Sequence, residues 1–200
     1  MNNEKTMEIL RDAIKVESES LSALSKSIDE SYVQAVKTIL NCKGKVVITG
    51  VGKSGHIGKK LAATFASTGT PSFFMHSTEG VHGDLGMITK EDVVILISNS
   101  GETSEVLSLL PTLNKIGTQK ISITSNNTST LAKSSDIALE YSYMKEADHL
   151  NLAPTTSSTM TLVIGDSLAT AVSQLKDFGK KDFHLYHPGG SLGNKLSEEE

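Results

Sequence analysis

The 200-residue sequence has one cysteine, Cys42, which excludes an internal disulfide and any zinc site built on several thiolates. It has no apolar run near the ~18 residues that a membrane-spanning helix requires, so no membrane partner is expected. Its first residues mix acidic and basic side chains where a signal peptide would be basic and then apolar, and a cytoplasmic protein is the expectation. No Lys/Arg cluster is present, and a net charge of −4 leaves no basic face for nucleic acid. Internal repeats, low-complexity tracts and long linkers are missing too, so residues 1–200 read as one domain. What remains is 38% hydrophobic and 21% charged, an ordinary globular composition in a chain long enough to bury about 70% of its unfolded surface.

Met7, Leu10, Ile14, Leu21, Leu24 and Ile28 recur at steps of three and four, with Glu17 at the one broken position. That spacing predicts an amphipathic helix with a narrow apolar seam, packed either on its own domain or against a second subunit. Tyr32, Val33, Val36, Ile39 and Leu40 predict a second helix, so helices fill about 4–42. From Lys45 the rhythm changes. The runs 45–50, 72–75, 92–98, 120–124 and 136–141 are short and mostly β-branched or aromatic. They alternate with helical stretches at about 56–68, 102–116, 128–134 and 155–177. This predicts a three-layer α/β sandwich, flavodoxin-like, with a five-stranded parallel sheet and a core over about 45–178. Right-handed crossovers place every strand's carboxyl end on one edge, where such sheets bind ligands. Residues 179–196 read as an irregular tail and "LSEEE" as a solvated end.

The loops at that edge are unusual in composition. "GVGKSG" fits G-x-G-x-x-G at Gly50, Gly52 and Gly55 in a strand-turn-helix setting. The acid that would hold a dinucleotide ribose is missing, because the second strand ends in Met75, His76 and Ser77, with Glu79 late. A Walker A loop is excluded by Val47, which stands where its first glycine belongs. What survives is an anion cradle made of backbone N–H groups with Gly52, Lys53 and Ser54. After the third strand comes "SNSGETSEV". An N-cap at Ser100, with Glu102 and Glu105 in the first turn, would account for one serine and two glutamates. It leaves Ser98, Asn99 and Thr103 unexplained, and a phosphate monoester with three acceptor oxygens would use them all. "TSNNTST" and "APTTSSTMT" add hydroxyls at the same edge, which suits a small phosphorylated polyol better than an apolar cofactor.

"GVGKSGHIGKKLAATFASTGTPSFF", "HGDLGMI", "SNSGET", "APTTSSTMTLVIGDSLA" and "HPGGSLG" together resemble the sugar isomerase (SIS) domain of the D-arabinose 5-phosphate isomerase family, over about residues 30 to 196. The resemblance implies a homo-oligomer, usually a tetramer, that interconverts D-ribulose 5-phosphate and D-arabinose 5-phosphate without a cofactor. Longer members continue into a pair of CBS modules, and this sequence ends at Glu200. "KEADHLNLAPT" also departs from the usual pattern, with Asp148 and His149 in place of a small residue and a proline.

The same resemblance carries four catalytic positions onto Lys53, Glu105, Glu146 and His187. Lys53 would steady an enediolate oxygen or help hold phosphate. Glu146, in a loop after the fifth strand, is the best base candidate, and Glu105 would orient Lys53 or serve as the alternative base. His187, whose family counterpart reaches a neighbouring subunit, would open the sugar ring. Resemblance adds Gly69, Thr70 and His82 as substrate contacts and His76 as a residue able to catch an inhibitory zinc; no metal is required. His56 and His184 read as structural. Two other functions fit the same features, an isomerase of a phosphorylated ketohexose and a non-catalytic sugar-phosphate sensor. The sensor would need neither Glu146 nor His187.

Overall fold

Alternation along the strands divides the core in two. The structure, a computed structural model, describes residues 2–188. Strands β1 (Val46–Gly50), β2 (Ser72–His76), β3 (Val93–Ile97), β4 (Gln119–Thr124) and β5 (Ile137–Glu140) form one parallel sheet in the order β2-β1-β3-β4-β5. Val46, Ile48, Val93, Ile95, Ile97, Ile121 and Ile123 point to one face. There they meet α1 (Asn3–Ser27), α2 (Glu30–Leu40), α3 (Gly52–Ser67) and α8 (Thr156–Leu175). Val47, Val94 and Leu96 point to the other, against α4 (Ser77–Val81), α5 (Ser104–Leu107), α6 (Leu110–Ile116) and α7 (Thr130–Lys133). A strand with both faces covered has no reason to alternate apolar and polar residues, which is why these segments are apolar throughout.

The helix expected over 102–116 is two helices, α5 and α6. Pro111 lacks an N–H and is tolerated only in a first turn, so the helix restarts at Leu110. Residues 180–186, expected to be irregular, form α9 (Lys180–Tyr186), where the Asp182 carboxylate accepts the Gly179 N–H at 2.8 Å. The short α4 leaves no periodic sign in the sequence either; His76 Nδ1 accepts the Thr78 N–H and caps it.

Glu17, the break in the α1 seam, reaches α8, where its carboxylate accepts the Thr159 hydroxyl at 2.9 Å. Leu24 is buried on the domain, whereas Met7, Leu10 and Ile14 are 47%, 60% and 69% exposed. The seam therefore packs on its own domain only through its carboxyl-terminal half.

Candidate active site

The strand order places β1 between β2 and β3, so the chain leaves β1 and β3 on either side of the sheet's switch point, where open α/β sheets take ligands. From β1 the chain turns directly into α3. Gly52 sits at φ +56°, a left-handed conformation that favours glycine. Gly55 lets the helix start pack closely on β1, since a Cβ there would lie a tight 3.1 Å from the Gly50 carbonyl oxygen. No side chain caps α3, which leaves its first N–H groups, beside exposed Lys53 and half-buried Ser54, to face an anion.

The turn after β3 has an internal framework. Ser98 is buried, and its oxygen accepts the Gly101 N–H at 3.0 Å and shares a 2.7 Å hydrogen bond with the Thr103 hydroxyl. Ser98 thus builds the turn, while Ser100 is exposed and Thr103, the N-cap of α5, is half-buried. Ser100 Oγ accepts the Glu102 N–H, but the helix begins two residues later than expected. Glu102 serves α7 instead, accepting the Thr130 N–H at 2.7 Å. Asn99 is locked by two tyrosines, its Oδ1 accepting from Tyr141 and its Nδ2 donating to Tyr143. Glu105 is exposed; its own backbone N–H, the Ser104 hydroxyl and the nearby His76 hold its carboxyl below the usual glutamate value.

Tyr143 leads into the loop that carries Glu146. Although its loop crosses the surface, Glu146 is only 6% exposed, and its carboxylate closes the amino end of α8. Oε2 accepts the Thr155 N–H at 2.9 Å, the Thr155 hydroxyl at 3.2 Å and the Ser157 N–H at 3.1 Å; Oε1 accepts the Ser157 hydroxyl. Burial pushes this carboxyl up, but the Ser157 and Thr155 donors outweigh it and leave the group below its ordinary range, hence ionised at neutral pH. A cleft of about 510 Å³ runs between Asn99, Ser125, Tyr143, Glu146, Asn151 and Pro154. Lys53, Ser54, the 98–103 turn, Glu105 and Glu146 thus share the carboxyl edge of the sheet.

The remaining expected residues divide. His82, the exposed C-cap of α4, follows β2 at that same edge. Gly69 and Thr70 precede β2 and lie at the opposite edge, where Lys176, the C-cap of α8, donates to the Thr70 hydroxyl at 3.1 Å. Glu146 holds the other end of α8, and its 20 residues at ~1.5 Å each span about 30 Å. Phe178 packs over Gly69 and stacks on Tyr186, which places α9, with His187 following it, at the far edge too. His187 stacks on Phe183, and its Nδ1 lies 2.8 Å from the Phe183 carbonyl oxygen. Residues 189–196 of the expected tail lie outside the described residues. Sequence reasoning misses Tyr141, Tyr143, Thr155 and Ser157 as site residues. Only the hydroxyl density of "APTTSS" signals two of them.

Among the described residues no three His, Cys, Asp or Glu side chains group to hold a metal ion, and no helix is long and apolar enough to cross a membrane. Helix starts and hydroxyl-rich turns gathered at one sheet edge make an α/β domain whose carboxyl edge offers hydrogen-bond donors suited to a small anion. Comparison with known families narrows that class. Residues 39–171 match the SIS domain, and the chain belongs to the SIS domain family. It is 52% identical to arabinose 5-phosphate isomerase KpsF of Escherichia coli over 188 residues, 94% of this chain and 58% of that protein. Arabinose 5-phosphate isomerase KdsD of Pseudomonas aeruginosa is 48% identical over 199 residues, 98% of this chain and 61% of that protein. The chain thus spans about three-fifths of the length of these relatives. Among solved structures, an Escherichia coli CFT073 protein in complex with arabinose 5-phosphate is 52% identical at a TM-score of 0.91, covering 94% of this chain and 100% of that one.

Proposed function

We propose that this domain interconverts D-ribulose 5-phosphate and D-arabinose 5-phosphate through an enediol. One observation carries the reading: the relative solved with arabinose 5-phosphate shares 52% identity along its whole length, and Lys53, Glu105 and Glu146 of this chain all follow strands at the carboxyl edge of its sheet. In this reading the phosphate rests on the first N–H groups of α3 and on the hydroxyls of Ser54, Ser100 and Thr103. Ser98 supports Thr103 from beneath, and Asn99 shapes the adjoining wall.

From the open aldose, a carboxylate takes the C2 proton while the aldehyde oxygen gains one; returning a proton to C1 and releasing the C2 hydroxyl proton gives the ketose. Glu146 is the base in this proposal. Its Oε2 is pinned by three donors, and Oε1, which takes the Ser157 hydroxyl, is the oxygen left for proton transfer. Lys53 stabilises the enediolate oxygen, and Glu105 orients Lys53 or serves as the alternative base. His82 contacts substrate, and an adventitious zinc at His76 would inhibit.

His187, at the far edge, lies about the 30 Å length of α8 from Glu146, so it completes the site of a neighbouring copy and opens the sugar ring there. Gly69, covered by Phe178, and Thr70, buried and bonded to Lys176, underlie that edge. The uncovered Met7, Leu10 and Ile14 support association, and a tetramer in the cytoplasm, where phosphorylated sugars are held, is the assembly proposed. Incubation with D-ribulose 5-phosphate tests the activity by proton NMR. Anomeric signals of arabinose 5-phosphate should grow to a constant ratio, and their absence would end the isomerase reading.

A further inference from the structure

Residues 148–153 form a closed turn whose hydrogen bonds run in two tiers. In the outer tier Asp148 Oδ2 accepts the N–H groups of Leu152 at 3.1 Å and Ala153 at 3.2 Å, while the Asp148 carbonyl accepts the Asn151 N–H at 2.9 Å. Within this tier Asn151 sits at φ +54°, a left-handed conformation that asparagine tolerates better than most side chains. In the inner tier Asn151 Oδ1 accepts the Glu146 N–H at 2.7 Å, and Thr155 Oγ1 accepts the Ala147 N–H at 2.8 Å. The chain around Glu146 is thus held at its backbone by Asn151 and at its carboxylate by α8. Asn151, Leu152 and Pro154 also line the cleft that Glu146 lines.

We propose that Asp148 is a positioning residue: by closing the 148–153 turn it fixes Asn151, and through Asn151 it sets the aim of Glu146 and the cleft wall opposite Asn99. A proline at 149 would stiffen this turn through its ring; with His149 there, the Asp148 carboxylate supplies the constraint by hydrogen bonding. The Leu152 and Ala153 N–H groups hold the Asp148 carboxyl below its ordinary range, so it is ionised wherever the enzyme would work. Asp148 itself acts through the loop, and the catalytic half of the proposal rests on the isomerase reading.

The test compares Asp148→Ala and Asp148→Asn in the full chain, by amide hydrogen exchange and by kinetics with ribulose 5-phosphate. Asp148→Ala should speed exchange at Leu152, Ala153 and Glu146 and lower kcat about tenfold, with KM changed less than about threefold, as a small misplacement of a reacting group would. Asp148→Asn keeps an acceptor at the same place and should recover most of both losses. Unchanged exchange in Asp148→Ala would overturn the closed turn. Lost protection with wild-type kcat would overturn the positioning role. A wild-type chain without turnover would sink the isomerase reading and the catalytic half of this proposal together, while the exchange data still decide the turn.

Discussion

Ser157 donates both its backbone N–H and its hydroxyl to the carboxylate of Glu146, eleven positions earlier in the chain. One buried carboxylate therefore closes the amino end of a 20-residue helix and also lines the cleft that Asn99 lines. A helix N-terminus favours negative charge, so the arrangement keeps Glu146 ionised while holding it still.

That double role predicts a pH-dependent stability. The folded Glu146 carboxyl lies below its ordinary value of 4.5, so its contribution is fully present above that value and is lost as pH falls through the lower, folded one. Glu146→Gln should be less stable than wild type at pH 7 by about 1–2 kcal/mol, the size of a partly buried charge at a helix end. Thermal melts at pH 7 and pH 3 should show the gap closing on acidification. A gap of constant size would mean that packing, rather than charge, made the difference.

Ser100 is exposed on the turn after β3, and the phosphate it is proposed to bind does not change during isomerisation. Binding that is equal in ground and transition states affects KM and leaves kcat alone. Ser100→Ala should therefore raise KM several-fold at nearly constant kcat. Steady-state kinetics showing a large kcat loss at unchanged KM would remove Ser100 from the phosphate site.

Separation of His187 from Glu146 by the length of α8 predicts complementation. Glu146→Gln and His187→Ala proteins, each nearly inactive, should regain part of the activity when their subunits are exchanged, because hybrid assemblies contain some sites with both residues intact. Mass spectrometry would verify the exchange. No recovery in verified hybrids would contradict the shared site.

The fold was largely legible because strands buried on both faces leave continuous apolar runs, as at Val93–Ile97. Less legible was α9: its seven residues, Lys180–Tyr186, are held by the Asp182 contact to Gly179 and by stacking of Tyr186 on Phe178, and neither is written as a periodic seam. The turn at Ser98–Thr103 stood out by its hydroxyl density, but composition could not separate Ser98, which builds the turn, from Ser100, which faces outward. The proposed division of the site between two copies was readable only for His187, through family resemblance. That Gly69 and Thr70 sit away from Glu146 required the three-dimensional fact that Lys176 meets Thr70 at the far end of α8.

The most direct test of the central claim, that Glu146 moves the carbon-bound proton, is kcat of Glu146→Gln with D-ribulose 5-phosphate. Glutamine preserves shape and an acceptor oxygen but removes basicity. In this variant kcat should fall by ~10²–10⁴ with KM within a few-fold of wild type, the usual loss for a positioned base. A folded variant whose kcat stays within about threefold of wild type would contradict it, because loss of a positioned base costs far more than that.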